Sequence, residues 1–398
     1  MTIDRTAPER VPLYGPEFAK DPQGAYARMR EHGDFAPVEL APGVPATLVL
    51  GYDAALEILR DPATFPRCSE VWEEAVGPEC PVLPMMMSRP NALFTNGTVH
   101  ARLRSVIVDS LDRVDPVSLR ENVERSADVL IDRFTGDGKA DLLGQYARTL
   151  PLLVFNEILG CPPEIGDKLV RGMSAIFDTV SAEQGNALLA EATGELVASK
   201  RARPGADVTS WMMSHPAGLD DLEMAHQVTL LMGAGTEPEQ NLIANGILLL
   251  LSDDRFGGDL SGGALPVEDA LDEILWTDPP MANYGTTFPR QDIDFHGYRL
   301  PAHQPVLVSY AAANTDPSRG IADRRGNRAH LSYAGGPHTC PARGHSRLIA
   351  SVAIEKLLDR IPDVELAVPE EHLEWRPGPF HRALTALPVT FPPDQALP

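Results

Sequence analysis

The sequence predicts a mainly α fold with a small β lobe, on three observations. Apolar residues recur at helical spacing through most of the stretch from His100 to Ser252, and again in RLIASVAIEKLLDRI, Arg347 to Ile361. Strand-like alternation is confined to Val38 to Leu50 and to segments within Asn283 to Val308 and Val364 to Phe391. The 37 prolines and 32 glycines punctuate the whole length, with no internal repeat and no linker long enough to divide the chain. The expected organisation is one unit over residues 1–398. Its β-rich portions are at about 36–50, 283–308 and 364–391, and its helical lobe is at about 100–276 and 341–361.

Taken in order, DPQGAYARMREH (Asp21 to His32) has the pattern of a short amphipathic helix, and Val38 to Leu50 turns through Pro42-Gly43 as a hairpin. GYDAALEILR (Gly51 to Arg60) is a second short helix, with Asp53 as its expected N-cap. Pro66 to Thr98 is rich in Pro, Met and Gly without a sustained period and is expected to be a long irregular loop of functional kind. Helices broken at TGDGK and GCPPE follow, then a Gly-rich stretch from Asp253 to Gly263 and a helix from about Val267 to Trp276, stopped by Asp278-Pro279-Pro280.

A formal charge of −22 argues against nucleic acid and anionic membrane surfaces as partners, because phosphate binding needs a cationic face. The N-terminus has no apolar signal region and the longest apolar run, Gly246 to Ser252, is too short to span a bilayer, so a cytoplasmic protein is expected. Cys68, Cys80, Cys161 and Cys340 are scattered without a C-x-x-C pair, which disfavours a disulfide framework or a structural zinc site. The first three are expected to be plain small hydrophobes.

Cys340 stands in YAGGPHTCPARGHSRL, Tyr333 to Leu348. Gly335 and Gly336 permit close backbone approach or positive φ, and Pro341 suits the first turn of the helix that follows. A cysteine at that helix start is expected to favour its thiolate, usable as a nucleophile, a redox sensor or a metal ligand; an inert buried cysteine is the competing interpretation.

The segment resembles the haem-binding loop of cytochromes P-450: Tyr333, Gly336, His338 and Cys340 match, while Ala334 and Ala342 replace two usual glycines. The resemblance runs along the whole chain, through DPQGAYARMREHG, LVLGYDAALEILRDP, AAANTDP and LAVPEEHLEWRPG in the expected order, and is closest to soluble actinomycete members. It implies the cytochrome P-450 fold, with a long central helix over a buried haem b whose iron the Cys340 sulfur ligates. It also implies haem contacts from Tyr333, and propionate contacts from His100 and Arg104, four residues apart on one helical face, and from His338.

Glu223 to Ser252 is apolar on nearly all sides apart from Thr236 to Asn241, as expected of a buried helix. In the resembled family such a helix carries Ala-Gly-x-acid-Thr beside the haem. Ala234, Gly235 and Glu237 match, whereas Pro238 takes the place of the proton-relaying threonine. Proline removes both the hydroxyl and a backbone hydrogen bond and is expected to kink the helix. Thr236 should point about 200° away from it. Glu237 and Glu239 are the expected proton carriers, with pKa values raised by burial.

A second departure lies in EILW: Glu273 is present, but Trp276 stands where the family carries the arginine of Glu-x-x-Arg. Glu273 is therefore expected to pair with Arg324, Arg325 or Arg328. The family's further propionate arginine falls on Thr287, with Arg290 as the expected substitute.

The resemblance implies a monooxygenase inserting one atom of O2 into a small hydrophobic substrate in secondary metabolism. Electrons would come from NAD(P)H through ferredoxin reductase and a ferredoxin, docked on Arg102, Arg343 and Arg347. Substrate contacts are expected from Leu83 to Phe94, Met232 and Ala234. The missing hydroxyl leaves a peroxygenase, isomerase or dehydratase as an alternative. The missing arginine, shared with an atypical actinomycete group, leaves a haem-binding sensor or complex subunit working with a GTPase-like partner as another.

Overall fold

The computed structural model describes residues 10–177, 182–253, 255, 267–320, 324 and 326–393. Most of the Gly-rich stretch after Asp253, and Arg325, lie outside the described residues.

The first part of the chain is α1 (Pro16–Lys20), α2 (Pro22–Arg30), α3 (Tyr52–Arg60), α4 (Glu70–Val76) and α5 (Leu83–Met86). The helical lobe follows as α6 (Gly97–Leu111), α7 (Pro116–Ile131), α8 (Thr149–Ile158), α9 (Pro163–Phe177), α10 (Ala182–Ala202), α11 (Val208–Met213) and α12 (Asp221–Ser252). The remaining helices are α13 (Val267–Thr277), α14 (Tyr310–Asn314) and α15 (Arg343–Arg360). Asp21 caps α2 by accepting from the Gly24 N–H at 2.8 Å, whereas α3 has Gly51, not Asp53, at its cap; Asp53 sits in the first turn and pairs with Arg319 at 3.0 Å. The supposed loop from Pro66 to Thr98 contains α4, α5 and the start of α6, helices too short to leave a period in the sequence.

The strands are β1 (Val11–Pro12), β2 (Phe35–Ala41), β3 (Val44–Val49), β4 (Lys139–Asp141), β5 (Asn283–Thr287), β6 (Ile293–Phe295), β7 (Tyr298–Leu300) and β8 (Val306–Ser309); five of them form the main sheet in the order β1-β2-β3-β8-β5, and β6 pairs with β7 separately. The β2–β3 hairpin is antiparallel, and β3 then runs parallel to β8 with Leu48 opposite Leu307. The last stretch forms only β9 (Glu365–Leu366) and β10 (Pro388–Thr390), which join β4 in a three-stranded sheet.

The axis of the helical lobe is α12, whose 32 residues span ~48 Å. Asp220 and Glu223 close its start as a capping box, two residues earlier than the apolar pattern begins. Leu242, Ile243, Ala244 and Ile247 are buried against α13 and α15 in one continuous apolar cluster. The helix continues on both sides of Pro238 without a break, so the lost hydrogen bond is absorbed inside a helix gripped by its neighbours. No helix among the described residues is long and apolar enough to cross a membrane.

Candidate functional site

The loop before α15 closes on itself. The Cys340 N–H donates to the Tyr333 carbonyl at 2.8 Å, around a single 3₁₀ turn from Gly336 to His338. Gly336 has φ 63°, and a Cβ there would lie 2.2 Å from the Leu59 carbonyl oxygen, so the loop presses on the end of α3 and only glycine fits. Ala334 also sits at positive φ (58°), where an L-residue is strained and the usual glycine would not be. Pro341 and Ala342 form a turn rather than the first helical turn, so α15 opens at Arg343, three residues beyond the thiol.

Burial pushes the Cys340 thiol up, against the expectation of a thiolate stabilised by the helix start. The Ala342 N–H, 3.4 Å from the sulfur, and the Arg104 and Arg343 charges pull the other way without prevailing. Positive charge directly at the sulfur, as a metal supplies, would favour its thiolate.

From α6, His100 and Arg104 reach this loop together, as their spacing predicts. They meet its main chain: His100 Nε2 lies 3.2 Å from the Pro337 carbonyl, and Arg104 donates to the Thr339 carbonyl. His100 Nδ1 lies 2.8 Å from the Ala92 carbonyl. A neutral imidazole donates from only one nitrogen, and burial keeps this ring below its ordinary pKa. The His338 ring packs 4.0 Å from that of His100. Burial, with Arg67, His100 and Arg104 nearby, pushes its pKa down to about 2.

On α12, His226, Leu230, Ala234 and Pro238 keep accessible surface one turn apart. A Cβ on Gly235 would lie 2.1 Å from the Phe155 ring, so its missing side chain is what lets α8 approach α12. Thr236 spends its hydroxyl on the Met232 carbonyl at 2.7 Å and cannot replace the missing alcohol. Met232 is buried in the apolar core rather than facing the open side.

Glu237 and Glu239 part company. Glu237 is buried, forms an ion pair with Arg376 and accepts from Gln240 Nε2 at 2.9 Å and Asn241 Nδ2 at 3.3 Å. Glu239 points toward α15, where Ser346 and the Ala350 amide face it, with one oxygen unbonded; burial pushes its pKa up to about 8. The Tyr333 hydroxyl meets Ser346 Oγ at 3.1 Å, so Glu239 belongs to the cysteine side and not beside Pro238. Two steps along a helix turn side chains ~200° apart, which is the physical reason one carboxyl cannot stand in for the other.

Glu273 finds Arg324 at 3.6 Å, as expected, and Arg255 at 3.5 Å. The deeper lock lies one residue earlier. Asp272, 2% exposed, pairs with Arg347 of α15, which also holds Glu268; Arg328 completes the cluster at 3.7 Å from Asp272. Trp276 is fully buried and donates to the Asn327 carbonyl at 2.6 Å. Arg347 is thus no part of a surface patch, and Arg102 is paired with Glu223; only Arg343 of the expected docking trio stays exposed without such a pair among the described residues. Arg290 is exposed and donates to Cys68 Sγ at 3.5 Å, so it does not substitute for the arginine absent at buried Thr287.

His330 packs edge-on to Trp276, with ring centroids 5.8 Å apart, and burial together with Arg347, Arg328 and Arg343 pushes its pKa down to about 4. In the unfolded chain it protonates near 6.5. Below that pH the unfolded state takes up a proton that the folded state refuses, so stability is lost as pH falls from 6.5 toward 4. Urea midpoints at pH 7 and pH 5 are expected to show His330→Phe losing this acid slope, worth about 2 kcal/mol between those two pH values in the parent.

Cys340 and His338 lie deep, yet both retain accessible surface, as does the Ala234 face of α12; they border interior space. The Cys340 sulfur, with the buried Arg67 that no carboxylate pairs with among the described residues, fits an iron-bearing cofactor that is itself anionic. The fold and this donor set define a protein built to enclose such a group. No family model matches the sequence. The chain is 32% identical to cytochrome P450 monooxygenase PikC of Streptomyces venezuelae over 95% of its length and 92% of that protein. It is 30% identical to 6-deoxyerythronolide B hydroxylase of Saccharopolyspora erythraea, over 95% of this chain and 98% of that one. Its structure is similar to that of CYP154C4 from Streptomyces sp. W2061, with a TM-score of 0.87 at 25% identity, covering 96% of this chain and 97% of that one. The chain belongs to the cytochrome P450 family of haem-iron monooxygenases.

Sequence reasoning missed Arg67, Arg376 and the burial of Arg347. None carries a local signal, since each is defined by a partner or a cavity far away in sequence.

Proposed function

We propose that Cys340 ligates haem b and that the chain inserts one oxygen atom from O2 into a small apolar molecule of secondary metabolism, as the activities of its hydroxylase relatives suggest. The observation that carries this is the Cys340 sulfur, set in a loop that its own N–H closes on the Tyr333 carbonyl and that His100 and Arg104 hold from α6. Haem, held through the Cys340 sulfur, would supply the oxidising chemistry, which a thiolate ligand favours. The Ala342 amide tempers the sulfur's charge, and His100 and Arg104 hold the loop at the Pro337 and Thr339 carbonyls. His338, packed on the His100 ring, would offer a ring nitrogen toward a haem carboxylate, while both His100 nitrogens stay on backbone carbonyls. Ala234 and Pro238 form the wall facing the substrate, with the segment from Leu83 to Phe94 beside it. Glu237, fixed by Arg376, is the carboxylate positioned to order water for proton delivery.

Electrons from NAD(P)H would pass through a ferredoxin reductase and a ferredoxin; with Arg102 and Arg347 internally paired, docking would rest on Arg343 and on shape. Beside the altered Glu-x-x-Arg motif, which suggested a sensor with a GTPase-like partner, Arg347 and Asp272 supply another ion pair between α13 and α15, which supports the monooxygenase reading.

A second reading has one specific support. Pro238 offers no hydroxyl and Thr236 has spent its own, which favours peroxide-driven oxidation or a non-oxygenating reaction. Pro238→Thr decides between them. Under the first reading, product per electron is expected to rise severalfold with ferredoxin and reductase, while peroxide-driven turnover stays level. No gain in coupling, with peroxide the better oxidant for both proteins, would favour the second. The same change restores the amide facing the Ala234 carbonyl and is expected to stabilise the fold by up to about 3 kcal/mol.

A further inference from the structure

We propose that Arg67 is the residue that binds a haem carboxylate in this chain; the proposal rests on the haem reading above. Arg67 is held at both ends of its neighbourhood. Its N–H donates to Asn96 Oδ1 at 2.9 Å, at the start of α6, and the carbonyl of Pro66 accepts from the Phe288 N–H at 2.8 Å, just after β5. This places it beside Thr287, the buried position with no cation to offer.

The side chain is buried, 7% exposed. Among the described residues no carboxylate pairs with it, and no acceptor takes a hydrogen bond from its guanidinium. The groups that face it are the phenols of Tyr310 and Tyr284 and the imidazoles of His100 and His338. Tyr310 also lies within electrostatic reach of Cys340, so Arg67 shares the space that the sulfur borders.

A buried guanidinium surrounded by neutral rings demands an anion, because it has lost water without gaining a partner. The other cation at this place, Arg104, is already committed to the Thr339 carbonyl, and Arg290 is at the surface on Cys68. A carboxylate answers the demand best, since the planar fork of arginine matches its two oxygens. Haem and an acidic substrate both carry carboxylates. The proximity to His338 and the cysteine loop favours the haem.

The test uses the full-length holoprotein as parent, R67Q, R67K and R290Q, each loaded with haem or with its dimethyl ester, whose carboxyls carry no charge. The rate of pigment loss to excess apomyoglobin is measured. R67Q is expected to release haem roughly ten- to a hundredfold faster than the parent, R67K to fall between them, and R290Q to match the parent. With the ester, parent and R67Q should release at equal rates. If R67Q does not fold, R67K carries the comparison: faster loss of haem but not of the ester supports the proposal.

Equal loss of haem from parent and variant, or equal acceleration with both pigments, overturns it. Unchanged haem loss with weakened myristate binding would reassign the guanidinium to a substrate carboxylate and likewise overturn it. A parent whose ferrous carbonyl spectrum lacks thiolate character would sink the haem reading instead.

Discussion

Cys340→Ser is expected to abolish the thiolate-type ferrous carbonyl spectrum and to lower turnover by about 10³-fold or more, the scale on which loss of a directly participating group registers. The fold should survive. The loop is closed by the Cys340 N–H and the Tyr333 carbonyl, held by His100 and Arg104 at other carbonyls, and pressed on α3 at Gly336, none of which involves the sulfur. A serine hydroxyl is nearly as small but cannot push comparable electron density onto iron, and its deprotonation in this buried place costs far more than that of a thiol. An unchanged carbonyl spectrum in a folded serine variant would show that some other atom binds the metal.

Arg347→Met is expected to destabilise the protein by about 3–5 kcal/mol, the cost of stranding a buried charge. Asp272 would keep only Arg328, 3.7 Å away and largely exposed, and Glu268 would lose its shorter partner. The double variant Arg347→Met with Asp272→Leu should recover much of the loss, because removing both charges also removes the desolvation penalty. Urea denaturation of the parent, both single variants and the double variant measures the coupling. A cost below about 1 kcal/mol for the arginine change would mean that α13 and α15 are held by apolar packing alone.

These two sites show what was legible and what was not. The cysteine loop could be read because its information is local: an aromatic, glycines and a histidine within eight residues, all needed by one turn. The long helix was equally legible, as was the hairpin, since each announces itself by period. The errors share a cause. Arg347 was placed on the surface because arginines usually are, and nothing within α15 reveals Asp272 below it. Glu239 was assigned to the groove by proximity to Pro238, although its position on the helix sends it to Ser346. The partner of Glu237 lies 139 residues away at Arg376, beyond any spacing rule. Asp53 as a cap and Pro341 as the helix start failed at element ends, where a shift of one or two residues is decided by tertiary contacts.

The relocation of the arginine has a consequence for how the chain matures. A Glu-x-x-Arg pair joins residues one helical turn apart and can form while that helix is nascent. The pair between Asp272 and Arg347 joins residues 75 apart, with Cys340 lying between them. Closing so long a segment carries an entropic cost that only a nearly finished helical lobe can offset. We expect haem uptake to follow closure of this pair, because the segment that bears the ligand lies inside the loop it closes.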